Sequence, residues 1–105
     1  MAPVNRITLF KIPSPDDQQK LLNVYKTMKQ DALKDGKPYI LSCTAGPAYP
    51  DVRNQGFTVA VISQFESVED MKFYDDECQA HAALKKVARS VHQGAMMVYF
   101  GNGLA

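Results

Sequence analysis

Apolar and polar residues alternate with two different periods along this chain, and the places where the period changes mark its elements. Residues 4–12, VNRITLFKI, alternate every second position. A strand there puts Ile7 and Leu9 on one face, and Val4, Phe10 and Ile12 on the other together with Arg6. The SPDDQQ that follows opens a helix. Ser14 suits the cap, Pro15 the first helical position, and Asp16 and Asp17 the positive end of the dipole. Leu21, Tyr25, Met28 and Ala32 then recur at helical spacing, with Leu22 and Val24 widening the stripe. Asp35-Gly36 reads as the end of that helix, and Pro38 as a bar to its continuation.

Residues 39–45, YILSCTA, form the second predicted strand, and GPAYPDVRNQG is a loop from Gly46 to Gly56. The third strand, 57–66, directs Phe57, Val59, Val61 and Phe65 to one face and Ala60 and Ile62 to the other. Ser67 then caps a helix by accepting from the N–H of Asp70, with Glu69 and Asp70 at the positive end. Val68, Met71 and either Phe73 or Tyr74 turn inward, and the acidic run Asp75, Asp76, Glu77 suits an exposed end or a break before a second helix. From His81 to about Val91 the chain is again helical, with Leu84, Val87, Ala88 and Val91 inward and Lys85, Lys86 and Arg89 outward. AMMVYF, 95–100, is a last strand with apolar residues on both faces.

The order strand, helix, strand, strand, helix, strand predicts an α+β fold: a four-stranded antiparallel sheet with helices on one face. The first, third and last strands, however, carry apolar residues on both faces. An uncovered apolar sheet face is a large exposed patch, and face-to-face pairing of two copies is its simplest cover, so a homodimer is expected.

Composition narrows the partners. With 105 residues the chain suits one domain, 1–105, and 46% hydrophobic, 22% charged and a net charge of +1 give no electrostatic case for nucleic acid or an anionic membrane. The N-terminal MAPVNRITLF has no uninterrupted apolar run of the secretory kind, and no stretch is long enough to span a bilayer. Cys43 and Cys78 stand in no metal-like spacing, which suggests free thiols in a reducing cytoplasm.

Tyr74 and His81 are the sharpest pair for chemistry. A neutral imidazole takes a proton while a phenol hydrogen-bonds it or polarises a carbonyl. Each alone has a plainer meaning, His81 as a helix-start residue with a local hydrogen bond and Tyr74 as a core aromatic. His92 falls at a helix end, where capping is sufficient explanation. Cys78 and His81 share a helical face, but two further metal ligands have no source, and there is neither a phosphate loop nor a GxSxG. An RNA-recognition motif has the same element order. Here Gln55 and Val59 stand where it needs a basic residue and a stacking aromatic, so it is set aside.

RITLFKI, the long helix after it, GFTVAVISQFESVEDMKFY and the AH dipeptide resemble the stress-responsive A/B barrel (Dabb) family over nearly the whole chain. The most specific portion is F-E-S-V-E, with Tyr74 five residues beyond Glu69 and Ala80-His81 opening the next helix. The resemblance implies a ferredoxin-like sheet that pairs as a dimeric α+β barrel. Within the family the functional comparison is a cofactor-free plant polyketide cyclase, olivetolic acid cyclase. The likeness implies an acid–base pair at Tyr74 and His81, with a residue inserted between them. It implies pocket positions at Leu21, Leu22 and Tyr25 on the first helix and at Val61 on the third strand. Arg6 and Val59 stand where such proteins carry histidines, and they count among the expected substrate-binding positions.

The expected protein is therefore a cytoplasmic homodimer, with no metal and no cofactor, that takes a small apolar or aromatic carbonyl compound. His81 would remove a proton alpha to the carbonyl, and Tyr74 would hydrogen-bond His81 or the enolate. The rivals are a non-catalytic stress-response or ligand-binding dimer and a related dimeric-barrel monooxygenase.

Overall fold

The computed structural model describes residues 3–104, so the two ends of the expected 1–105 domain lie outside the described residues. In chain order the elements are β1 (Val4–Lys11), α1 (Pro15–Tyr25), α2 (Met28–Asp31), β2 (Leu33–Lys34), β3 (Lys37–Pro38), β4 (Ile40–Pro47), a 3-10 turn (Val52–Asn54), β5 (Val59–Phe65), α3 (Val68–Asp76), α4 (Gln79–Val91) and β6 (Gly94–Phe100). Four of the strands form one antiparallel sheet in the order β4-β5-β1-β6.

Strand parity decides which side of the sheet the helices cover. Val4, Arg6, Thr8 and Phe10 of β1 are buried, as are Val59, Val61, Ser63 and Phe65 of β5. Val4, Phe10, Val59, Val61 and Phe65 of these join Leu21, Tyr25, Met28, Met71, Tyr74, Leu84 and Ala88 from the helices in one core. Phe65, Ile12, Leu21, Met28, Leu84 and Val59 are its largest fully buried side chains, each stabilising the fold by about 1.5–3 kcal/mol through burial. The cap residues act as their chemistry requires. Ser14 accepts from the Asp17 N–H and Ser67 from the Asp70 N–H.

Three boundaries differ from expectation. The long helix breaks at Lys26–Thr27, and the short α2 follows. Thr27 leaves helical geometry, its carbonyl accepts from Gln30 and Asp31, and its hydroxyl donates to the Asp31 carboxylate. Met28 and Ala32 stay buried across the break, so the apolar stripe is real although the helix is not continuous. Asp35-Gly36 does not end a helix. With φ of 53° and 76° both residues are left-handed, which makes them the tight turn of the hairpin β2–β3. α4 begins at Gln79, which puts His81 inside its first turn.

On the far side of the sheet, registered pairs stack apolar residues in rows: Ile62, Ile7 and Val98 in one, Ala60, Leu9 and Met96 in the next. Ile62, Met96, Val98 and Phe100 are exposed in the single chain. No helix among the described residues is long and apolar enough to cross a membrane.

Candidate active site

The site is built at the joint between α3 and α4. The N–H groups of Glu77 and Cys78 both reach the Phe73 carbonyl, closing α3, and Cys78 then turns extended to start α4. The reversal brings His81 back over the last turn of α3. Its ring stacks on Tyr74 with centroids 3.6 Å apart and planes within 11°. Its Nδ1 lies 2.8 Å from the Tyr74 main-chain oxygen. A carbonyl only accepts, so Nδ1 holds the proton and Nε2 keeps the lone pair. Tyr74 also meets Phe65 at a tilt, 5.2 Å between centroids.

Arg6 enters from β1. Its guanidinium is 5.3 Å from the Tyr74 ring centroid, and Nη1 donates to the Asp75 carboxylate at 2.8 Å. The other Asp75 oxygen is 3.8 Å from His81 Nδ1, and Lys85 donates to the Asp75 carbonyl. Arg6 is a cation only 7% exposed, so its carboxylate partner offsets much of the cost of burying it.

Burial sets the protonation states. His81, 5% exposed, is pushed down to about 4 chiefly because burial disfavours the charged ring, and Arg6 and Lys85 add to this. The hydrogen bond to Tyr74 and the charge of Asp75 oppose the shift without reversing it. The imidazole is therefore neutral at pH 7. Burial raises the phenols of Tyr25 and Tyr74, with Arg6 opposing in both cases, and both remain protonated.

A cleft of about 240 Å³ opens between β1, α4 and β6. Arg6, Thr8, Tyr25, Asp75, His81, Lys85, Arg89 and His92 line it together with apolar side chains. The sequence predicted one cavity holding both members of the Tyr–His pair and lined by Leu21, Leu22, Tyr25, Val59 and Val61. Of these, only Tyr25 and His81 border the cleft, and Arg6 joins them. Tyr74, Leu21, Val59 and Val61 are packed into the core, because strand parity and the helix stripe turn them toward side chains that fill the space. Leu22 borders a different depression, of about 360 Å³, between α1 and β4. The expected phenol-to-imidazole hydrogen bond is replaced by ring stacking and a bond to the main chain. The helix joint brings the two side chains parallel, so the phenol cannot point at the ring nitrogen.

Two relations come into view only here. Asp75 is the partner of Arg6 across 69 positions of sequence, a pairing no local pattern reveals. His92 caps α4 as expected, its N–H donating to the Ala88 carbonyl, and in addition its Nδ1 is buried with no hydrogen bond among the described residues and its ring borders the cleft. It stands just past the end of α4, and it borders the same cleft as His81. Among the described residues no three His, Cys, Asp or Glu cluster as a metal site.

Comparison with known proteins agrees with this architecture. The chain is 43% identical over 97 residues to the fusaristatin A biosynthesis cluster protein of Gibberella zeae, covering 92% of this chain and 70% of that protein. A dimeric protein of unknown function and ferredoxin-like fold from Bacteroides fragilis superposes with a TM-score of 0.73 at 21% identity, covering 97% of this chain and 98% of the other. Hydroxynitrile lyase from Passiflora edulis superposes with a TM-score of 0.81 at 16% identity, covering 99% and 96%. At such identities the two structures speak for the fold, which is ferredoxin-like. Residues 4–100 match the model of the stress responsive A/B barrel domain. This chain therefore belongs to the stress responsive A/B barrel domain (Dabb) family.

Proposed function

We propose that this Dabb protein is a cofactor-free acid–base enzyme of the polyketide-cyclase kind, acting as a homodimer in the cytoplasm on a small carbonyl compound. The observation that carries the reading is the tautomer of His81: with Nδ1 committed to the Tyr74 carbonyl, Nε2 is the free basic nitrogen of a neutral imidazole beside a cleft. His81 removes a proton alpha to a carbonyl. The enolate is stabilised by Arg6, whose guanidinium borders the same cleft. Attack of the enolate carbon on a second carbonyl forms the new C–C bond, and His81 returns its proton to the resulting alkoxide. Tyr25 lends a protonated phenol to the cleft. Tyr74 is a positioning residue in this scheme, fixing the tautomer through its carbonyl and the ring plane through stacking.

Other lines support the reading. The Gibberella zeae relative takes its name from a biosynthesis cluster, and the Passiflora edulis protein is a lyase on the same fold. The dimeric Bacteroides fragilis protein and the exposed rows of Ile62, Met96 and Val98 favour pairing through the open sheet face. Free Cys43 and Cys78 suit a reducing compartment.

The test is cyclisation of a linear polyketide thioester or its free acid. His81→Ala should lose activity by about a hundredfold or more. Tyr74→Phe, which keeps the carbonyl and the ring, should stay within about threefold in kcat with an unshifted pH profile. Equal rates for parent and His81→Ala would sink the enzyme reading. A second reading, a non-catalytic binder of small molecules, is favoured by the weak basicity of an imidazole held down to about 4. Saturable binding with no turnover would select it.

A further inference from the structure

The cleft carries more positive charge than its own carboxylate compensates. Arg6, Lys85 and Arg89 border it, and Asp75 is the one acidic residue among its lining. Asp75 is bonded to Arg6, and among the described residues neither Lys85 nor Arg89 has a carboxylate within ion-pair distance. Beside Thr8, Tyr25 and the two histidines, the remaining lining is apolar: Phe10, Leu84, Ala88, Ala95 and Met97. At the β6 end lies the buried, unpartnered Nδ1 of His92. An apolar slot with surplus cations on one wall and an unused polar atom at its end is complementary to an amphipathic monoanion.

We infer that the cleft selects small organic acids, with a carboxylate held between Arg89 and His92 and the apolar or carbonyl-bearing part lying toward Arg6 and His81. Arg89 lies in the last turn of α4 and His92 is the extended residue that caps it, and both border the cleft. A guanidinium matches the two oxygens of a carboxylate, and His92 adds one hydrogen bond with its Nδ1 protonated. The C-terminal end of α4 opposes an anion with roughly half an elementary charge, which the full charge of Arg89 exceeds. A volume of about 240 Å³ is below the roughly 300–1,000 Å³ of sites for drug-sized ligands, so the occupant has one ring or a short chain. As a substrate class this rests on the proposed acid–base role of the cleft.

The experiment compares 4-phenylbutanoate with 4-phenylbutanamide, which have nearly the same shape and differ in charge, by NMR shift titration of the full chain at pH 7 and low salt. The acid should bind at least about tenfold more tightly than the amide, with shifts concentrated in β1, α4 and β6. Arg89→Gln should remove most of that difference and leave amide affinity within about twofold. Lys86→Gln, an exposed neighbour outside the cleft, should change neither. Equal affinity for acid and amide, no binding of either, or an acid preference that survives Arg89→Gln would each overturn the inference. So would equal affinity for 3-phenylpropyl phosphate, which would mean that the cleft reads charge and not a carboxylate. The cyclisation assay fails independently. Acid-selective binding without turnover would refute the proposed function alone, and turnover of neutral and acidic substrates at equal kcat/KM would refute this inference alone.

Discussion

His81 carries most of what is unusual at the scale of single residues. A histidine pushed down to about 4 from its ordinary 6.5 binds a proton less readily folded than unfolded. Between those two values the unfolded chain therefore holds more protons, and stability rises with pH. The contribution is fully present above about pH 6.5 and is lost progressively as pH falls to about 4, amounting to about 3 kcal/mol over the window. Urea unfolding of the parent at pH 7 and pH 4.5 should show this loss. His81→Gln, whose amide can still donate to the Tyr74 carbonyl, should show a drop smaller by at least about 1.5 kcal/mol between the same pH values. Identical pH dependence in both proteins would mean that the ring is not held neutral by burial. The sequence pointed to His81 and Tyr74 because an imidazole and a phenol stood near one helix end, and it placed Arg6 by strand parity on one face with Val4, Phe10 and Ile12, the face that the structure buries. It could not give the relation between the two rings. That depends on how Glu77 and Cys78 close α3, a matter of main-chain geometry with no periodic signature.

At the scale of elements, the residues that speak for themselves are those with a fixed local job. Ser14 and Ser67 were legible as caps because a hydroxyl ahead of a helix has one obvious donor to accept from, and both make that bond. Ser67 matters more, since it starts the helix that carries Tyr74 and Asp75. Ser67→Ala should destabilise the fold by about 1 kcal/mol, read from the urea midpoint at unchanged slope. A loss below about 0.3 kcal/mol would mean that tertiary packing alone holds the start of α3. The misreadings arose where one signal has two meanings. Asp35-Gly36 marks a helix end or a hairpin turn, and only the left-handed backbone at both residues decides for the turn. The stripe Leu21, Tyr25, Met28, Ala32 keeps its spacing through the break at Thr27 because α2 resumes on the same side, so the pattern hides the interruption. The expected lining went astray for a related reason. Periodicity says that Leu21, Val59 and Val61 face inward, and it does not distinguish a filled core from the wall of a cleft.

For the whole molecule the open question is what covers the second face of the sheet. The rows Ile62–Ile7–Val98 and Ala60–Leu9–Met96 lie across three adjacent strands, and Ile62, Met96 and Val98 are about half exposed in the single chain. Scattered apolar residues on a surface need no explanation, but contiguous rows on the flat face of a sheet do. The pattern was already legible in the sequence, since β1, β5 and β6 each carry apolar residues at both parities. Two such faces laid together bury each other. Sedimentation equilibrium at micromolar concentration should accordingly give twice the 11.7 kDa mass of the chain. A charge placed at the centre of the face has no partner in the paired state and full hydration in the separated one. Ile62→Asp should therefore shift the equilibrium to monomer by at least about a hundredfold in dissociation constant. Leu33→Asp, equally apolar and exposed but on the β2 hairpin, should leave the mass doubled. Far-ultraviolet circular dichroism would verify that Ile62→Asp is still folded when it is weighed. A parent that remains monomeric at hundreds of micromolar, or an Ile62→Asp variant that pairs as tightly as the parent, would show that this face is not where the copies meet.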